Sequence, residues 1–130
     1  MNFQQSIDRP DILMSEKTVN CKFDGFFSDA LDFIMQYQLL RPELWRKFAD
    51  LYRVQPDASR GWSGEYWGKM MRGATWVYAY NHDEKLYGIL RESVLQLLEN
   101  AEPNGRISTY AQALEFRGWD MWCRKYVLLG

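Results

Sequence analysis

The sequence predicts an all-α fold built from antiparallel helical hairpins. Three observations carry that expectation. Leu86, Ile89, Leu90, Val94, Leu97 and Leu98 recur at the spacing of one helix face. Only Asn81-His82-Asp83 separates this stripe from the helical pattern before it, and helices joined that tightly run antiparallel, so 66–101 reads as an αα-hairpin. The composition, with 130 residues, 47% apolar and 25% charged, suits one domain with a packed core and excludes a disordered chain.

Residues 1–22 contain Pro10 and scattered polar side chains without a period, and read as an extended lead-in to a domain over 23–130. Phe23-Asp24-Gly25-Phe26-Phe27 reads as a short strand or a turn, with Gly25 breaking any helix. Ser28 is the expected N-cap of a helix over Ala30 to Leu40 that presents Leu31, Ile34, Met35 and Gln38. Pro42 suits the first turn of a second helix, whose inner face is Leu44, Trp45, Phe48, Leu51 and Tyr52. A loop follows from Gln55 to Gly61. The glycine-rich run from Gly61 to Gly68 opens a third helix to about Tyr80, and its glycines permit close approach of another backbone. Asp83 caps the fourth helix, which Glu102-Pro103-Asn104-Gly105 ends. A short irregular or helical piece reaches Gly118. A last helix then carries Trp119, Trp122, Cys123, Tyr126 and Val127. It stops at Gly130 on an apolar surface with no helix after it, so a truncated chain is expected. Gly130 as a simple C-terminal cap is the alternative.

Several function classes are excluded. Lys and Arg number 16 against 17 for Asp and Glu, with a pI near 5.8, which gives no electrostatic footprint for nucleic acid or an anionic membrane. No stretch approaches the ~18 apolar residues of a membrane span. No signal peptide is visible, which leaves the cytoplasm as the default. His82 is the only histidine and falls in a tight turn, while Cys21 and Cys123 lie far apart, so no zinc-ligand spacing exists and at most one disulfide can form. No Gly-x-Gly-x-x-Gly, Gly-Lys-Ser/Thr or Gly-x-Ser-x-Gly motif occurs. Carboxylate pairs such as Asp83/Glu84 and Glu92/Glu99 read as solvated helix faces. The remaining anomaly is the aromatic content of 16%, which suits either a bulky helical core or a surface that stacks on sugar rings.

Three stretches taken together resemble one family. They are Gly64-Glu65-Tyr66-Trp67-Gly68-Lys69-Met70-Met71-Arg72-Gly73-Ala74, then Asn104-Gly105-Arg106-Ile107-Ser108-Thr109-Tyr110, then Gly118-Trp119-Asp120-Met121-Trp122-Cys123-Arg124-Lys125-Tyr126-Val127-Leu128-Leu129-Gly130. Their order and spacing are similar to the N-terminal part of the β-L-arabinofuranosidase-like glycoside hydrolases, family 127, over about residues 20–130. The resemblance implies a position within an (α/α)6 barrel of six helical hairpins around a funnel-shaped site. It also implies retaining hydrolysis of a terminal arabinofuranose-type sugar by a zinc-bound cysteine nucleophile and a glutamate acid/base. Those residues belong to Glu-x-Cys and Cys-Cys elements expected beyond residue 130, so neither a catalytic residue nor a cofactor is assigned to this chain. At Trp119 the sequence departs from the family, where many relatives carry an active-site histidine.

In such a barrel the loops leading into inner helices line the funnel. The resemblance therefore makes Trp62, Glu65, Trp67, Arg106, Ser108, Tyr110, Trp119 and Asp120 candidates for contact with a carbohydrate substrate, with core packing the alternative for each Trp. Arg124 and Lys125 are expected to face a neighbouring helix or solvent. Two functions stay open: the N-terminal segment of such a hydrolase, or a free-standing helical module that binds carbohydrate or a protein without catalysis. If the ring is unclosed, Met70, Met71, Trp119, Trp122, Tyr126 and Leu129 are expected to be stranded at the surface and to drive self-association.

Overall fold

The computed structural model describes residues 22–58 and 60–130. The lead-in before Lys22, with Cys21, lies outside them. Five α-helices account for most of the described chain: α1 (Phe26–Ile34), α2 (Pro42–Val54), α3 (Glu65–Asn81), α4 (Glu84–Glu99) and α5 (Asp120–Leu129). No strand forms among the described residues. A single parallel bridge pairs Asp57 with Tyr110. The protein is all-α.

The first helix corrects the sequence reading. It begins at Phe26, directly after Gly25, whose φ of 56° suits glycine and ends the preceding extended segment. Ser28 therefore lies inside the first turn and caps nothing, and Phe23–Phe27 is a turn into a helix, not a strand. Over Met35–Leu39 the coil widens to π-helical geometry. The Trp45 indole N–H donates to the freed Leu39 carbonyl at 2.8 Å, which ties this widened turn to α2. In α2 Pro42 occupies the first turn as expected, and Trp45, Ala49 and Tyr52 are buried.

The hairpin between α3 and α4 is the tightest connection. His82 takes a left-handed conformation (φ 52°) that ends α3, and the Asp83 carboxylate accepts from the Leu86 N–H at 2.8 Å to start α4. The buried face of α4 is Leu86, Leu90, Ser93 and Leu97. Val94 (37% exposed) and Leu98 (57%) turn outward, contrary to the expected stripe. The cause is a polar contact: the Trp67 indole N–H donates to Ser93 Oγ at 2.8 Å, which rolls Ser93 into the core.

Helix order follows from glycine contacts. A β-carbon on Gly64 would meet Cys123, and one on Gly68 would stand 1.9 Å from the Tyr126 carbonyl oxygen. One on Gly130 would meet Gly68 and Met71. The contacts advance in the same direction along both helices, so α3 and α5 run parallel in close backbone contact. Helices α2 and α4 are also parallel: Gln96 donates to Asp50 (3.3 Å), and Gln55, just past α2, donates to Glu102, just past α4 (2.7 Å). Because α3 and α4 form an antiparallel hairpin, the two parallel pairs make two layers of opposite direction. Their shared core includes Trp45, Tyr52, Trp67, Met71, Leu86 and Leu90.

Of the residues expected to be stranded, Met71 is corrected. It is buried between α3 and the α5 C-terminus, because glycines at 68 and 130 bring those backbones together. Trp119, Trp122 and Leu129 are exposed, whereas Met70 and Tyr126 are half-buried. No helix among the described residues is long and apolar enough to cross a membrane.

Candidate functional site

The parallel run of α3 and α5 brings their N-terminal loops, Gly61–Gly64 and Phe116–Trp119, to the same end of the molecule. Both loops are held by a buried polar network built largely from the Arg106–Tyr110 segment. The Asp57 N–H donates to the Thr109 carbonyl (3.0 Å), while Thr109 Oγ1 donates to the Asp57 carboxylate (2.6 Å). The same carboxylate accepts from the Gly64 N–H at 3.4 Å. Two buried phenols grip the Gly61–Gly64 loop: Tyr52 donates to the Gly64 carbonyl and Tyr110 to the Gly61 carbonyl. The Tyr110 oxygen in turn accepts from the Trp119 N–H at 3.1 Å. Burial raises the titration of both phenols, so both keep the proton they donate.

A second part of the network fixes α5. The Asp120 carboxylate, fully buried, accepts from the Ser108 hydroxyl, the Phe116 N–H (2.9 Å) and Arg124 Nε (3.1 Å). Burial alone would push this carboxyl up, but the hydrogen bonds from Ser108, Phe116 and Arg124 outweigh it, and it sits below the usual carboxylate range. Arg124 also binds Glu115 at 2.7 Å. Arg106 is buried between Glu102 and Glu115, and it donates to the Tyr110 carbonyl at 2.7 Å. Cys123 lies beneath this network, with its thiol pushed up to about 11 chiefly by burial and further by the Asp57 charge.

The eight residues singled out in the sequence therefore divide. Trp67, Arg106, Ser108, Tyr110 and Asp120 are buried. The polar side-chain groups of Trp67, Ser108, Tyr110 and Asp120 are occupied by protein partners. Arg106 pairs with Glu102 and donates to the Tyr110 carbonyl but leaves its Nε without a hydrogen bond, 3.4 Å from Glu115. Trp62 and Trp119 are 52% and 46% exposed. Glu65 lies beside them, accepting from Lys69 Nζ at 2.6 Å and from the Trp122 indole. Its slight burial raises its carboxyl, but those two hydrogen bonds prevail and hold it ionised at neutral pH. The Lys125 ammonium lies 3.6 Å from the Trp122 ring centroid, so that face is already taken. The open indole surface at this end belongs to Trp62 and Trp119.

Sequence reasoning missed Asp57, Thr109 and Tyr52 as members of the framework. The only local signal was the polar-aromatic run Ser108-Thr109-Tyr110. Among the described residues, no group of three or more His, Cys, Asp or Glu side chains could hold a metal ion. The donor set does not fit zinc, and no step through zinc follows from it. No protein-family model, curated protein or solved structure matches this chain.

Proposed function

We propose that this chain is a carbohydrate-facing helical-hairpin segment, with Trp62 and Trp119 as the surface on which a sugar ring stacks. More narrowly, it is the N-terminal segment of a β-L-arabinofuranosidase-like hydrolase and supplies part of the funnel wall around a terminal arabinofuranose-type sugar.

What carries the reading is the pair of exposed indoles on loops held at the shared end of two parallel helices. Alternating parallel layers are the arrangement a ring of hairpins requires, and in such a ring the loops entering one layer gather at one mouth. Buried side chains hold those loops before any ligand arrives, which lowers the ordering cost of binding. An apolar ring face on an indole and a carboxylate, here Glu65, able to accept hydroxyl hydrogens together suit a sugar. Neither carboxylate described at this end suits a general acid, because Asp120 is locked by three donors and Glu65 stays ionised. The purified chain is therefore expected not to hydrolyse an aryl arabinofuranoside; zinc-dependent release of arabinose would overturn the wall-only role.

The direct test is titration with methyl β-L-arabinofuranoside, followed by tryptophan fluorescence. Saturable change that Trp62→Ala and Trp119→Ala each abolish is expected. No change, or change insensitive to both substitutions, refutes the reading. A second reading, a free-standing binding module, draws on Asp57, Ser108, Thr109 and Asp120 being satisfied within the chain itself. A monomer with one cooperative melt at micromolar concentration favours it, and self-association favours the unclosed ring.

A further inference from the structure

We infer that Tyr110 is a positioning residue whose phenolic hydroxyl clamps together the two backbones that carry Trp62 and Trp119, and so holds that pair ready for a sugar ring. The inference rests on the carbohydrate-facing reading of those two indoles. A phenol has one hydrogen to give and lone pairs to receive. Tyr110 gives its hydrogen to the Gly61 carbonyl, directly before Trp62, and receives the N–H of Trp119 itself. One oxygen thus joins the two backbones from which the indoles spring. It holds those atoms within about 6 Å of each other, two hydrogen-bond lengths.

The phenol is itself anchored. Its N–H donates to Ser108 Oγ (3.0 Å), its carbonyl accepts from Arg106 (2.7 Å), and its backbone pairs with Asp57. Its ring is fully buried, so it cannot swing away. Phenylalanine can fill the same space but can make neither bond, which leaves the two loops free to drift apart. Tyr52, the other phenol on this loop, reaches only Gly64 and touches one loop alone.

The test uses the whole chain labelled with 5-fluorotryptophan, which gives one fluorine resonance for each of six tryptophans. Without ligand, Tyr110→Phe is expected to shift and broaden the Trp62 and Trp119 lines while Trp45, Trp67 and Trp76 stay in place. Asp83→Ala, destabilising at the distant α4 cap, is expected to move neither. With methyl β-L-arabinofuranoside as probe, Tyr110→Phe is expected to bind about tenfold more weakly and Asp83→Ala as the parent does. Unmoved Trp62 and Trp119 lines, or undiminished affinity, overturn the inference. A parent that does not respond to the sugar refutes the carbohydrate reading, while selective line shifts in Tyr110→Phe still establish the clamp. If Tyr110→Phe does not fold, hydrogen exchange at the Trp119 amide of the unaltered protein decides: strong protection supports the clamp, and exchange at an open-loop rate overturns it.

Discussion

Replacing Gly68 by alanine tests whether backbone contact between α3 and α5 organises this protein. An added β-carbon would stand 1.9 Å from the Tyr126 carbonyl oxygen and 2.3 Å from its carbon. Carbon and carbonyl oxygen pack comfortably at roughly 3.3 Å, so the helices must separate by about 1.4 Å. Overpacking of this kind costs about 1–3 kcal/mol, and the obstacle here is rigid backbone, which puts the cost at the upper end. Alanine returns about 1 kcal/mol of helix propensity, for a net loss of about 2 kcal/mol. Gly73 lies on the same helix with nothing within 4 Å of its would-be β-carbon, so Gly73→Ala keeps only the gain. The two variants should differ by about 3 kcal/mol in urea unfolding. At about 3–5 °C per kcal/mol for a domain of this size, Tm should fall by roughly 6–10 °C in the first and rise by a few degrees in the second. Gly68→Ala as stable as Gly73→Ala would refute the close parallel packing.

Asp120→Asn should cost about 3 kcal/mol at neutral pH, because it removes the buried charge that pairs with Arg124 and turns the oxygen that accepts the Phe116 N–H into a donor. The native Asp120 carboxyl lies below its ordinary 3.8, so its contribution is full above that value and fades as pH falls through the lower native one. Urea midpoints across acid pH should therefore decline less steeply in the variant than in the parent; equal slopes would refute the assignment. In a Cys21→Ser background, Cys123 should ignore a disulfide reagent at pH 8 and react at the rate of unfolding, given its full burial and a thiol raised to about 11. Instant stoichiometric labelling of the native protein would count against it. Asp83→Ala should lower stability by about 1 kcal/mol in denaturant unfolding by removing the α4 cap, and no loss would show the cap to be idle.

Much of the fold was legible where the chain speaks locally. Pro42 marked the start of α2, Asp83 marked the start of α4, and the short turn between α3 and α4 fixed a hairpin. Boundaries failed where a local rule had a competitor. Ser28 is a good capping residue, yet Gly25 had already released the backbone into a helix three residues earlier. On α4 the apolar pattern admitted two faces, and a single indole hydrogen bond to Ser93 chose between them. The candidate site was half legible. The resemblance named residues on both of these loops, but it could not separate residues that face outward from those that hold them. That division depends on pairings such as Asp57 with Thr109, which are 52 residues apart and leave no periodic trace.

That separation bears on how the protein emerges from synthesis. At roughly 5–20 residues per second, the 52 residues between Asp57 and Thr109 take about 3–10 s to be made. Helix–helix contacts form in well under a millisecond by comparison. The α2–α4 scaffold can thus assemble while the Gly61–Gly64 loop still lacks Thr109 and Tyr110. During those seconds the Asp57 carboxylate and the Gly64 and Gly68 surface stand open to water. The polar network and the close α3–α5 contact can be completed only once the Arg106–Tyr110 segment and α5 have been made.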